Sequence, residues 1–142
     1  MKKISIVTSC FNEEDNITLL YKKLKDIIEK LNSRYNFEII FIDNASTDFT
    51  QDELRKIANE DKNVKLILNS RNFGSIKSPY YAICQATGDA IIYLASDLQD
   101  PPELIYEFIE NWEKGCEVVI ARKYDSQKFK FLEVLRKFYY YA

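Results

Sequence analysis

Short runs of apolar residues, each about the length of a strand, recur along this chain and alternate with stretches of helical periodicity. The runs cover residues 4–8, 37–42, 64–68, 90–95 and 118–121. Between the first two, Ile17, Leu20, Tyr21, Leu24, Ile27, Ile28 and Leu31 fall three and four apart, which predicts a helix with one apolar face. Strands that are apolar throughout and separated by helices predict an α/β fold, a largely parallel central sheet flanked by helices. Ligands of such sheets bind beyond the carboxyl ends of the strands, so the loops that follow the strands are where chemistry is expected.

Local punctuation refines the elements. Thr50 and Glu53 read as a capping box opening a second helix with Leu54, Ile57 and Ala58 inward. Ser78 and Pro79 read as the N-cap and first residue of a third helix that Gly88 ends. Asp100 reads as the cap of a fourth, followed by Pro101, Pro102 and Glu103 and stopped by Gly115. At 142 residues the chain is one domain in size, and such a domain buries roughly 70% of its unfolded surface without needing disulfides.

The formal net charge of −2 argues against a nucleic-acid binder. The end of the chain is different in character. Arg122, Lys123, Lys128, Lys130, Arg136 and Lys137 face only Asp125 and Glu133 there, among many aromatic residues. Cys10, Cys84 and Cys116 have no metal-site spacing and are expected to be reduced thiols of a cytoplasmic protein. The sequence runs straight into a strand without a leader, and no apolar run approaches the ~20 residues that cross a bilayer. Histidine is absent, which removes Ser-His and Cys-His nucleophile arrangements.

Polar clusters follow four of the strands: residues 9–13, 43–48, 96–100, and Arg122 with Lys123. Any one of them could be turn chemistry. All four on one rim would be a site. Gly74, Gly88 and Gly115 form neither a P-loop nor a dinucleotide fingerprint. A nucleoside diphosphate would therefore need Mg²⁺ or Mn²⁺, held near Asp97 together with phosphate oxygens.

Several of these segments resemble one family. Residues 6–16, Ile-Val-Thr-Ser-Cys-Phe-Asn-Glu-Glu-Asp-Asn, are similar to the opening of family-2 glycosyltransferases, V-V-x-P-x-Y-N-E-E-x-N. Residues 42–48 resemble their V-D-D-G-S-T-D element. Residues 97–104, with Arg71-Asn72-Phe73-Gly74, resemble stretches of the polyprenyl- and dolichyl-phosphate sugar transferases. The resemblance implies a glycosyltransferase A-type, Rossmann-like fold and an inverting transfer from a UDP or GDP sugar, with a polyprenyl phosphate lipid as acceptor. By matching position it places Ser9, Phe11, Glu13, Ile42, Asp43, Asn44, Ser96 and Asp97 against the nucleotide. Asp97 would hold the metal, and Arg122 and Arg136 would meet the acceptor phosphate, with Asp97 and Arg122 serving catalysis.

Three departures from the family pattern matter. Ser9 stands for a proline and Asn44 for a second aspartate, and Ala95 replaces the first carboxylate of the usual Asp-x-Asp. Residues 1–121 are expected to form the nucleotide-sugar-binding domain. Residues 122–142 would begin an acceptor or membrane-proximal region at the cytoplasmic face of the membrane, in a chain that continues further in its relatives. The competing readings are transfer to a saccharide acceptor, a non-catalytic nucleotide-sugar-binding module, and an unrelated receiver-like fold.

Overall fold

A computed structural model describes residues 1–122; Arg136 and the rest of the basic aromatic segment lie outside the described residues. The elements are β1 (Lys2–Cys10), α1 (Glu14–Leu31), β2 (Tyr35–Asp43), α2 (Thr50–Glu60), β3 (Val64–Leu68), α3 (Gly74–Cys84), β4 (Ala90–Ala95) and α4 (Leu104–Glu113). The four strands form one parallel sheet in the order β3-β2-β1-β4. Each expected strand through residue 95 is present, and the second and first are longer than their apolar runs.

The two faces of the sheet are unequally covered. One packs under α1, α2 and α4 in a large core that includes Ile4, Ile6, Phe41, Leu24, Leu54 and Ile105. The other holds a small cluster of Val7, Ile40, Ile42 and Ala82, the last from α3. Beyond α3 the second face of β4 is open, and Ile91 and Tyr93 are exposed. The helical stripe of α1 is buried as its spacing predicts, through Ile17, Leu20, Leu24, Ile27 and Leu31. Acidic Glu14 and Asp15 in its first turn and Lys30 in its last complement the helix dipole. Among the described residues no helix is long and apolar enough to cross a membrane.

Five local readings are corrected. Residues 118–121 form no strand, and Val118 and Ile120 are exposed. An apolar run becomes a strand only when a neighbouring edge supplies its hydrogen bonds, and this one pairs with none of the four strands. The capping box is not made: Thr50 Oγ1 accepts the backbone N–H of Glu13 at 2.7 Å, and Glu53 pairs with Lys56. The Thr50 N–H bonds instead to Asp48 at 3.0 Å.

The third helix starts at Gly74, so Pro79 lies within it, and it ends at Cys84 rather than Gly88. Gly88 is required for a different reason: a Cβ there would stand 2.7 Å from the backbone nitrogen of Ser5 and 2.9 Å from the Ala90 carbonyl oxygen. The N-cap position of α4 is Glu103, not Asp100, because the first turn is closed onto the carbonyls of Pro101 and Pro102. Gly115 does stop α4. Its φ is +95°, its N–H bonds to the Trp112 carbonyl, and the Cys116 N–H bonds to Asn111, a Schellman turn.

Candidate functional site

Parallel register brings the ends of three strands together. Cys10 lies opposite Asp43, and Ser9 opposite Ala95, so the loops after β1, β2 and β4 leave the sheet side by side. Each of these loops contains one residue other than glycine with left-handed backbone: Asn12 (φ +55°), Ala45 (φ +63°) and Leu98 (φ +56°). Among the described residues no others do. Such a conformation costs an L-residue roughly 1–2 kcal/mol and concentrates where structure serves function. The position where the family pattern has glycine is Ala45 here, so the turn is kept at the expense of strain.

Side chains stitch the first two loops to each other. The Asn12 N–H donates to Ser46 Oγ, and Asn12 Oδ1 accepts from the Thr47 N–H at 2.8 Å. Glu14 accepts from the Phe49 N–H at 2.7 Å, and Asp48 accepts from the Glu14 N–H. Burial opposes ionisation of Asp48, but donation from Thr50 and Glu14 holds its carboxyl below the usual range.

A pocket of about 400 Å³ opens at this rim, within the ~300–1,000 Å³ range of small-ligand sites. Ser9, Phe11 and Glu13 line it from the first loop and Ser96 and Asp97 from the fourth strand's loop. Its opposite wall is Asn72, Gly74, Ser75, Ser78 and Pro79. That wall was not singled out by sequence reasoning as ligand-contacting; the Arg71-Asn72-Phe73-Gly74 similarity was its only signal. Phe11 is half exposed and lies on the pocket lining. The Ser9 and Tyr93 hydroxyls share a 2.7 Å hydrogen bond, and Ser96 Oγ donates to the Ser9 carbonyl.

Two of the expected contacts, Ile42 and Asp43, are not on the pocket lining. Ile42 is fully buried in the small core cluster, where its side chain supports the sheet under α3. Asn44 lies on the pocket lining, but it is largely buried and its amide is fully used. It donates to Asn72 Oδ1 (2.9 Å) and the Gly74 carbonyl (3.4 Å), and accepts from Asn69 Nδ2 (3.1 Å) and the Phe73 N–H (2.9 Å). Asp43 is sealed beneath the rim. Its Oδ2 accepts from the Ser46 N–H and from Gln51, while Oδ1 is buried without a partner. Arg122 is exposed and is not on the lining of this pocket.

The carboxylates lining the pocket are Glu13 and Asp97. Glu13 accepts from Asn16, and Asp97 Oδ1 accepts from the Gln99 N–H. Among the described residues no three His, Cys, Asp or Glu side chains assemble into a metal cage. This donor set fits a hard cation that arrives with a diphosphate and takes one carboxylate, phosphate oxygens and water.

The sequence matches the family described as Glycosyl transferase family 2 over residues 5–141. It is 41% identical over 123 residues to a prophage bactoprenol glucosyl transferase homolog of Escherichia coli K12, covering 87% of this chain and 40% of that protein. A bactoprenol glucosyl transferase of Shigella phage SfX is 38% identical over 123 residues, again 87% and 40% of the two chains. The chain thus spans about two fifths of the length of these curated relatives. Among solved structures, Staphylococcus aureus TarS 1–349 in complex with UDP superposes with a TM-score of 0.61 at 26% identity, over 90% of this chain and 39% of that one. The Pyrobaculum calidifontis mannosyltransferase PcManGT, in complex with GDP-Man and Mn²⁺, gives 0.62 at 22%, over 95% and 39%. The fold is that of the glycosyltransferase A-type neighbours, and the chain belongs to glycosyl transferase family 2.

Proposed function

We propose that this family-2 chain carries the donor site of an inverting glycosyltransferase that moves a sugar from a UDP or GDP sugar to a polyprenyl phosphate. The observation that carries the reading is the meeting of three strained loops around one pocket, with Phe11, Glu13, Ser96 and Asp97 on its lining. Relatives named as bactoprenol glucosyl transferases support the lipid phosphate acceptor.

Phe11 and Ser9 would lie against the nucleoside. Asp43 would meet a base only if the rim above it moved, since its Oδ1, though without a partner, is fully buried and off the pocket lining. Asp97 would hold Mg²⁺ or Mn²⁺ with the diphosphate. When bound, that ion would supply charge neutralisation to the departing diphosphate. An acceptor phosphate oxygen would attack the anomeric carbon as the bond to the diphosphate oxygen breaks, the electron pair leaving with the nucleotide. A phosphate monoester is anionic near neutral pH, so a chain without histidine needs no general base. Arg122 and Arg136 would draw in the acceptor phosphate, and the basic aromatic segment would meet the anionic membrane surface.

The test has two stages. Calorimetry with UDP and GDP, with and without Mn²⁺, is expected to give metal-dependent binding that D97N weakens by about tenfold or more. The full-length protein is expected to move radiolabelled sugar onto polyprenyl phosphate. Transfer only to a saccharide would replace the lipid acceptor, and binding without any transfer would leave a nucleotide-sugar-binding module.

A further inference from the structure

We infer that Asn44 is a positioning residue: it carries the 69–74 loop that forms the far wall of the donor pocket, and it does so only as an amide. The inference rests on the donor-pocket reading above. Its basis is a chain of hydrogen bonds whose polarity the backbone fixes at both ends. The Phe73 N–H is a donor and nothing else, so the group of Asn44 that meets it at 2.9 Å is the carbonyl oxygen. The amide nitrogen of Asn44 therefore faces Asn72 and the Gly74 carbonyl. The Gly74 N–H in turn donates to Asn72 at 2.8 Å, so the atom there is Asn72 Oδ1, which can only accept. Asn44 must donate to it.

A carboxylate in this place could not. It would set oxygen against Asn72 Oδ1 and against the Gly74 carbonyl. Turning the Asn72 amide over would restore one bond to residue 44 and forfeit the one to Gly74. The stakes are raised by what hangs on the loop. Asn69 is tied to Asn44 and to Ser78, and its N–H bonds to the Asp43 carbonyl. Asn72, Gly74 and Ser78 are all pocket-lining. The Asn44 N–H itself bonds to the Cys10 carbonyl, which anchors the clamp on β1. The left-handed Gly74 (φ +85°) then starts α3 directly from this knot, five residues before Pro79.

The experiment reads amide hydrogen exchange at Phe73 and Gly74 in the wild-type chain, N44D and N72D, with calorimetric titration by UDP and GDP in Mn²⁺. In the wild type both amides exchange slowly, and nucleotide slows them further. In N44D their exchange rises and nucleotide affinity falls, each about tenfold, as expected for lost buried hydrogen bonds. The amides of β1 and β2 keep their protection. N72D keeps slow exchange at Gly74, because a carboxylate at 72 accepts the same two donations. Wild-type exchange in N44D, or lost loop protection with unchanged affinity, overturns the inference. If N44D does not fold, N72D and the nucleotide effect on the wild-type loop decide it: fast Gly74 exchange in N72D, or no nucleotide effect, refutes it. A wild-type chain that binds neither nucleotide sinks the donor reading and this role with it. An unprotected loop in a chain that does bind sinks the clamp alone.

Discussion

Glu38 is a carboxylate inside an apolar strand, and its removal is the most informative perturbation of the fold. It is 3% exposed, in the middle of β2. Its two oxygens have separate duties. Oε1 accepts from Ser5 Oγ (2.6 Å), the Thr87 N–H (2.7 Å) and Thr87 Oγ1 (3.0 Å). Oε2 takes Lys3 at 2.9 Å and Lys65 at 2.7 Å, from the strands on either side. Burial alone would raise its pKa, but donation from Lys65, Ser5, Thr87 and Lys3 holds it far below the usual carboxylate range.

Glu38→Gln keeps an oxygen for the first set and loses both lysines. Those ammonium groups are about a third to a half exposed and return to water, so the cost is discounted to about 1–2 kcal/mol. Glu38→Ala also strands the Ser5 hydroxyl and the Thr87 N–H, and should cost about 3–5 kcal/mol. Urea unfolding at pH 7 measures both. A folded pKa lowered below the unfolded value of about 4.3 means the unfolded chain binds more protons, so this stability is complete above that pH and is lost as pH falls further. The wild-type and Gln curves should therefore converge in acid. Equal costs for the two variants, or an Ala variant within about 0.5 kcal/mol of wild type, would refute the division of labour between the oxygens.

Three further outcomes follow from local geometry. Gly88→Ala should lower stability by about 1–3 kcal/mol, seen as a lower urea midpoint at unchanged slope, because its Cβ meets Ser5 and Ala90 backbone atoms. Ala45→Gly should raise stability by about 0.5–1 kcal/mol: relief of the φ +63° strain exceeds the entropy glycine adds to the unfolded chain. At pH 8, Cys84 and Cys116 should react with a thiol reagent, while Cys10 reacts only on unfolding. Burial pushes the Cys10 thiol well above its ordinary range, with a hydrogen bond to Ser96 opposing it.

Much of this architecture was legible in the order of the residues. The strands through residue 95 and the buried stripe of α1 are written in periodicity, which depends on neighbours within a few positions. The stop at Gly115 is equally local, a glycine that can take φ +95° after an apolar helix. The rim was also foreseeable, since strands that are apolar throughout pack in parallel and release their polar loops on one side.

What only the tertiary structure decided are matters of partnership. Residues 118–121 have the composition of a strand, yet they pair with none of the sheet's strands. Thr50, Ser78 and Asp100 carry capping chemistry, but Thr50 is drawn to the Glu13 N–H and Ser78 to Asn69. Glu38 looks misplaced in its strand until β1 and β3 bring Lys3 and Lys65 alongside. Asn44 reads only as a ligand contact in the sequence; the fold also binds every hydrogen-bonding group of its amide into the loop beside the pocket. A sequence states what each side chain can donate or accept; the packing of distant segments decides which partner arrives first, because a buried polar group must be satisfied by whatever the fold sets beside it.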